Sequence, residues 1–600
     1  MGVDVTTAEM KSYIDDRLLG PSGYAYATNW NGYVLIHPSL HINGYVKDPP
    51  NVDFLDIEID TPEKEELRAS MINGSEGKHQ ITAFVRSPDQ RHLHTETRNY
   101  YYSPIKNTSF SMGLSIPVDH AVYVEFSGDI RNINISKLED NATAMLIAPW
   151  DYYAGMLERD DLTGTMLDIV DALYAWKAGN TSYIWNETML LNLYWDVEMT
   201  VKTKQYWNDL ANYLGLGGKE SENQRIDIGF VGTHGGLTRV YPPEEYERFM
   251  SVRDTWKADY FRRALLAGPE FFLFMAPFTS VAREDDGDSP NITVVSAARI
   301  EKDNIGFTAA VAGAVFSHTL LIEKMQNASV QPDTLNCRDI NNLSCYLLDD
   351  GAFLIATNQM DMQKDIGRFF GRIDPVLMWN LMNTTYHRLI NYDYQAICQE
   401  GGDGSVNAGP LSIKIPSINT LYEVLSFNWW TGTVSWSLLN FNIYNWLFSK
   451  NTDYVMASDT TIHNVSCIKK SAQYYLTEEF AEEKSISDII SCGICSREFH
   501  VVKLKMNNLI WVVAEPECPE CDEIDQDDLP QESVPVEDEP DLCEVEPRYR
   551  RRPEGCYSEA YNEDETKCGA SFVQPSSQLV LISSLLIVTC IMWITVNIPS

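Results

Sequence analysis

The sequence predicts an α+β protein: antiparallel sheets flanked by long helices, followed by a cysteine-rich, disulfide-bonded C-terminal region. Three observations carry this. A strand–turn–strand pattern occurs three times, at Tyr24–Pro38, Ile228–Pro242 and Cys345–Ile355. Between the first two copies, residues 158–215 change to helical spacing. No cysteine precedes Cys337.

The first copy turns at Asn31-Gly32 and the last at Asp350-Gly351. Both pairs tolerate positive φ, which predicts β-hairpins with type I′ turns. The middle copy carries Gly235-Gly236. Small apolar strands precede the first and last copies, at Met1–Val5 and Ala310–Phe316. Repetition of such a unit suggests duplicated sheet domains. It also places Met1 inside a unit, so the chain is expected to lack its natural beginning.

Residues 1–150 read as strands and turns, with a polar insert at His41–Pro50 and strand candidates at Ser109–Val118 and Ala121–Phe126. The helical stretch has apolar residues at Met166, Ile169, Val170, Leu173 and Trp176, and again at Met189, Leu190, Leu193 and Trp195. Strands resume at Ile226 and continue, with helices between, to about Ile397. Residues 417–448 are apolar and helical in pattern, with Trp429, Trp430, Trp436 and Trp446. They read as a buried helix or, alternatively, an interfacial one. Glu515–Glu546 is acidic and Pro-containing, a loop or disordered stretch. Arg548–Arg552 follows it as a neutralising run, and Pro553 argues against a basic protease site there.

The net charge of -39 excludes nucleic acid as a partner, because phosphate binding needs clustered Lys and Arg. Leu579–Val596 is an apolar run with no charged residue. Small residues from Gly569 and a polar spacer precede it, the layout of a GPI-attachment signal with Gly569 as the lipid-anchor candidate. A single transmembrane helix is the alternative. Eleven Asn-x-Ser/Thr sequons fit a secreted, glycosylated chain: Asn73, Asn107, Asn134, Asn141, Asn180, Asn186, Asn291, Asn327, Asn342, Asn383 and Asn464.

Eleven cysteines precede the apolar tail: Cys337, Cys345, Cys398, Cys467, Cys492, Cys495, Cys518, Cys521, Cys543, Cys556 and Cys568. In an oxidising compartment they form disulfides, with pairing undetermined and one left over for a missing part or another chain. Cys492-Gly-Ile-Cys495 and Cys518-Pro-Glu-Cys521 would suit a zinc ribbon inside a cell, but beside sequons and an anchor they read as disulfides. His37, His41, His92 and His94 read as surface or core histidines, with no metal site. Asp161-Leu-Thr-Gly-Thr165 is set aside as a cation motif because no strand leads into it. No catalytic constellation is present, so an enzyme is not expected. Asp53, downstream of the first hairpin, is a candidate to hold an amine by a charge-assisted hydrogen bond.

Gly23-Tyr and Asn31-Gly-Tyr-Val-Leu-Ile-His-Pro38 resemble the hairpin of double Cache sensor domains, which are PAS-like. A longer series occurs in order in the α2δ auxiliary subunits of voltage-gated calcium channels, which the whole chain resembles. It comprises Val52-Asp-Phe-Leu-Asp56, Gly236–Pro242, Leu348–Gly351, Ile366–Pro375, Tyr392–Cys398, Cys492–Ser496, Pro547–Arg550 and Cys568-Gly569.

The resemblance implies tandem Cache modules. Residues 1–150 would be the C-terminal part of a first double Cache domain and 151–400 a second. Residues 401–455 would be a helical end of the α2-like part, 456–568 a Cys-rich δ-like region and 569–600 the anchor signal. It implies a glycosylated protein on the extracellular face of the plasma membrane, reached by the secretory pathway. There it would raise the surface abundance of the pore-forming α1 subunit and tune its current. The family's divalent-cation site would lie before this chain, leaving no cofactor here. Of the family's small amino-acid pocket, Ala25, Ala27 and Asp53 would remain, with Ala25 standing where some members have Tyr. A cut between α2-like and δ-like parts would fall near Asp453–Asp459, with Cys337–Cys398 before it and Cys467–Cys568 after, the pieces staying disulfide-linked. A Cache-type amino-acid sensor is the alternative reading.

Overall fold

A computed structural model describes most of residues 9–400 and 463–536, with short gaps, and residue 548. Residues 1–548 form one unit and Tyr549–Ser600 a second, of which no residue is described. The α+β expectation holds: the described residues form four antiparallel sheets with helices packed on them.

The first sheet has the order β2-β1-β5-β4-β3, from β1 (Tyr24–Asn29), β2 (Val34–Ile36), β3 (Gly77–Arg86), β4 (Leu93–Pro104) and β5 (Phe110–Pro117). Between β2 and β3 lie α1 (Phe54–Ile57) and α2 (Glu63–Ile72). Tyr26, Phe54, Leu67, Met71 and Tyr100 form its core. Tyr26 stands opposite Gly113, where a Cβ would come within 2.2 Å of the ring, so glycine is required. These five strands, from residues 24–117, pair with one another. Ser109–Val118 coincides with β5, whereas 121–125 and Met1–Val5 lie outside the described residues.

The second sheet runs β6-β8-β7-β11-β10-β9, from β6 (Ala144–Ile147), β7 (Ile226–Thr233), β8 (Leu237–Tyr241), β9 (Leu273–Met275), β10 (Asn291–Lys302) and β11 (Ile305–Ser317). α3 (Met166–Lys177) and α4 (Glu187–Thr200) fall in the predicted helical stretch. Thr165 and Asp168 cap α3 reciprocally, and Asn186 caps α4. Ile169, Val170, Leu173, Leu190 and Leu193 bury their predicted face. α5 (Asp259–Ala267) lies between β8 and β9, and α6 (His318–Ala328) follows β11.

The third sheet joins distant stretches in the order β13-β12-β18-β17-β16: β12 (Ser344–Leu348) and β13 (Leu354–Thr357) with β16 (Ser485–Cys492), β17 (Cys495–Lys503) and β18 (Ile510–Ala514). Beneath it, α7 (Pro375–Leu381) starts at Asp374, which accepts the Leu377 amide and forms a buried bidentate pair with Arg497, Nη2 to Oδ2 at 2.7 Å. The fourth sheet pairs β14 (Tyr386–Glu400) with β15 (His463–Leu476), and β15 with β19 (Val534–Pro535). The Trp-rich stretch 417–448 and the apolar run Leu579–Val596 lie outside the described residues. Among the described residues, no helix is long and apolar enough to cross a membrane.

All three hairpins form, but their turns are not type I′. That turn needs positive φ at both central residues. Here a single left-handed residue ends each turn: Gly32 (φ 84), Gly236 (φ 88) and Ala352 (φ 63). Its amide donates to the residue three back: Asn29, Thr233 and Asp349. The side chain of that residue secures the loop. Asn29 Oδ1 accepts the amides of Asn31 and Tyr33, Thr233 Oγ1 that of Leu237, and Asp349 Oδ1 those of Gly351 and Phe353.

Gly32 therefore corresponds to Ala352, and Gly351 to Asn31. A Cβ on Gly351 would come within 2.7 Å of the His92 ring, so this glycine permits a close approach rather than a left-handed turn. The repeat also breaks upstream. β11, which contains Ala310–Phe316, belongs to the second sheet, not to that of β12 and β13.

Substitutions at 351 and 352 are expected to act with opposite signs. Ala352→Gly removes a left-handed Cβ and should stabilise the full chain by about 0.5–1 kcal/mol. Gly351→Ala should lower the thermal unfolding midpoint by clashing with His92. Equal effects would show that the turn register is wrong.

Candidate functional site

The acidic turn that follows the first hairpin is built by α1 and α2. Asp53 caps α1, its Oδ1 accepting the Leu55 amide at 3.1 Å. It is 2% exposed. Arg68, on the buried face of α2 beside Leu67 and Met71, donates Nε to Asp53 Oδ1 at 2.8 Å and Nη2 to Oδ2 at 2.7 Å. Arg68 Nη2 also reaches the Asn31 carbonyl at 3.1 Å, tying this ion pair to the hairpin turn. Ala25 and Ala27 are buried on β1 opposite Leu114 and Met112 of β5. Arg548 lies across the top of the acidic turn in a bidentate pair with Asp56. It thus meets the first sheet instead of simply neutralising the preceding acidic stretch.

Sequence reasoning placed Asp53 and missed its partners. Arg68 was legible in principle, as a lone cation among the apolar positions of an amphipathic helix. Glu58 was also missed. It is buried, with hydrogen bonds from the hydroxyls of Tyr24 at 2.8 Å and Tyr100 at 3.0 Å. Burial raises its pKa, but His37 at 3.3 Å, the Ile59 amide and the Tyr24 hydroxyl outweigh that and lower it overall.

A second constellation joins the first three sheets. His92, from the β3–β4 turn, faces Asp89 through Nδ1 and Asp349 through Nε2, both at 2.8 Å. Asp350 accepts from Arg263 of α5 at 2.8 Å and from Asn508 of the β17–β18 turn at 3.0 Å. Asn508 in turn bonds both backbone groups of Phe274 in β9. Burial and Arg263 push the His92 pKa down, but Asp349 and Asp89 outweigh them and raise it to about 9.

His92, Asp349 and Asp350 lie close enough together to ligate one metal ion. In the structure their donor atoms are engaged by protein groups: His92 by Asp89 and Asp349, and Asp350 by Arg263 and Asn508. His41 is exposed, its amide bonded to Gln395, and His94 lies 3.9 Å from Glu96.

Among the described residues, four disulfides bind the later sheets: Cys337–Cys345, Cys398–Cys467, Cys492–Cys521 and Cys495–Cys518. The two C-x-x-C pairs therefore cross-link each other. Cys543, Cys556, Cys568 and Gly569 lie outside the described residues. Asn73, Asn107, Asn134, Asn180, Asn327 and Asn342 are exposed; Asn186 and Asn291 are half-buried. Asn141, Asn383 and the side chain of Asn464 fall outside what is described.

This architecture is that of a disulfide-braced α+β protein. Residues 130–569 match the family model "Neuronal voltage-dependent calcium channel alpha 2acd", and residues 23–117 match the CACHD1 middle domain. The chain belongs to the family of voltage-dependent calcium channel alpha-2/delta subunits. It is 31% identical to the human alpha-2/delta-2 subunit over 97% of this chain and 52% of that protein. With the human alpha-2/delta-3 subunit it shares 25% identity over 98% of this chain and 54% of that one. It thus spans about half the length of these curated relatives. The ligand-binding domain of the Pseudomonas aeruginosa PAO1 amino-acid chemoreceptor PctC, in complex with GABA, is a remote likeness. It has 13% identity, covers 32% of this chain and 79% of that one, and gives a TM-score of 0.17.

The pH dependence of the His92 junction has a definite sign. Its folded pKa lies above the ordinary 6.5, so its contribution is complete below pH 6.5 and is lost as pH rises through about 9. At full expression it is on the order of 3 kcal/mol. Lys503, lowered by burial to about 8, acts in the opposite direction. The comparison with His92→Gln isolates the histidine: wild-type unfolding midpoints should fall more steeply than the variant's between pH 6.5 and 9. Parallel curves would remove His92 from the junction's energetics.

Proposed function

We propose that this chain is part of an auxiliary, non-enzymatic calcium-channel subunit. In this reading it works on the extracellular face of the plasma membrane, raising the surface abundance of the pore-forming α1 subunit and tuning its current. The membership of residues 130–569 in the alpha-2/delta family carries this reading. The disulfides support an oxidising, extracellular setting, and the exposed sequons are suited to glycans. We further propose membrane attachment through the C-terminal apolar run, by a GPI-type signal at Gly569. Engagement of Asp53 by Arg68 favours the subunit reading over a small amino-acid sensor, because an amine would have to displace a bidentate guanidinium.

Co-expression of this chain with a pore-forming α1 subunit should raise surface α1 and whole-cell calcium current. Unchanged surface α1, with the chain itself at the cell surface, would overturn the reading. A second expectation concerns the proposed cut near Asp453–Asp459. Cys398 and Cys467 lie on opposite sides of it. A chain cut there should migrate as one species without reductant and as two with it, and Cys398→Ser with Cys467→Ser should weaken that linkage. Peptide maps pairing Cys398 with another cysteine would contradict this.

A further inference from the structure

The three hairpin turns share one further trait. The third residue of each, Asn31, Gly235 or Gly351, meets a charged side chain from another element. Arg68 donates to the Asn31 carbonyl at 3.1 Å. Asp196 of α4 accepts the Gly235 amide at 2.8 Å. The His92 ring lies 2.7 Å from where a Cβ on Gly351 would stand. In the first and third turns the charge is compensated: Arg68 by Asp53, and His92 by Asp89 and Asp349. In the second, no Lys, Arg or His pairs with Asp196 among the described residues.

The contact is close on both sides of the turn. A Cβ on Gly235 would fall 2.2 Å from Asp196 Oδ2 and 3.2 Å from the Asn192 backbone, so the turn lies directly on α4. Opposite, Tyr152 donates to the Gly235 carbonyl at 3.3 Å, and the Trp150 ring lies against Gly236. The neighbours supply Asp196 with no countercharge. The Thr233 hydroxyl and the Gly235 amide, which favour its charged form, are both neutral. His234 sets its ring against Trp256 and Phe261. Arg239 of β8 reaches α4 further along, at Thr200 Oγ1 (3.0 Å) and the Val197 carbonyl (3.1 Å). Glu198 pairs with Lys137.

We infer that a proton is the counter-ion of Asp196, and that α4 is latched to the β7–β8 turn more firmly in mildly acidic surroundings than at neutral pH. Burial pushes the Asp196 carboxyl up to about 6 from an ordinary 3.8, outweighing Thr233 and Gly235. Its folded pKa thus lies above the unfolded one. The proton's contribution is absent well above pH 6, grows as pH falls through 6, and is complete below 3.8. In a secreted chain the latch would grip inside acidified vesicles and relax at the cell surface. That placement rests on the extracellular reading; the latch itself does not.

The test is amide hydrogen exchange over residues 233–237 of the full chain, corrected for the intrinsic effect of pH. Wild-type protection should rise about tenfold from pH 7.4 to pH 5. Asp196→Asn, a neutral isostere, should keep the higher protection at both pH values. Asp196→Ser, a shorter neutral acceptor, should also lose the pH dependence. The difference between wild type and variants separates Asp196 from other titrating groups. The inference is overturned if wild-type protection is the same at both pH values, or if wild type and the neutral variants change in parallel.

Discussion

The structure depends most on the protonated His92 held between Asp89 and Asp349. Each partner is fixed by its own element. Asp349 receives two amides of the β12–β13 turn, and its carbonyl accepts the buried Tyr386 hydroxyl. Asp89 belongs to the same turn as His92 and accepts the Arg91 amide and the Ser87 hydroxyl. An imidazolium between rigid carboxylates at 2.8 Å cannot move without breaking charge-assisted bonds on both sides. The first sheet is thereby registered against the third. Through Arg263, Asp350 and Asn508, the same cluster reaches α5 and β9 of the second. Ion pairs of this kind are weak evidence of raw stability. Their strength is geometric, because a misplaced partner leaves a charge buried and unpaired.

Much of the fold was legible because its local rules agree. The strand–turn–strand pattern found all three hairpins, and helical spacing found α3. The turn chemistry was read for the wrong reason. Asn-Gly and Asp-Gly look equivalent in sequence, yet their glycines occupy successive positions of the same turn. What defines the turn is the acceptor at its first residue, Asn29, Thr233 or Asp349, together with one left-handed residue three places later. Asn, Thr and Asp share that acceptor role without looking alike. Gly351 was conspicuous because of His92, a contact 259 positions away that no local pattern encodes.

The candidate site was legible to the same limited depth. Asp53 could be named because a carboxylate sits beside a hairpin. Its neutralisation by Arg68 depends on how α2 packs, and its cover by Arg548 depends on a contact across almost the whole chain. Pairing of the cysteines was hidden for a like reason. C-x-x-C spacing suggests local chemistry, but Cys492 and Cys495 bond to Cys521 and Cys518 because β16 and β17 bring their turn beside the later segment.

These long contacts share a direction. Strands from residues 463–514 complete sheets begun by residues 344–400, and Cys398–Cys467 staples the ladder where β14 and β15 pair. Residues far apart in sequence are thus interleaved in space. A break in the chain between positions 400 and 463 need not separate the body, because the third sheet, the β14–β15 ladder and a covalent bridge all cross that gap. Such interleaving holds the described sheets in one fixed arrangement. Its register is set by backbone ladders and by buried pairs such as Asp374–Arg497, where a misplaced partner would leave a charge buried and unpaired.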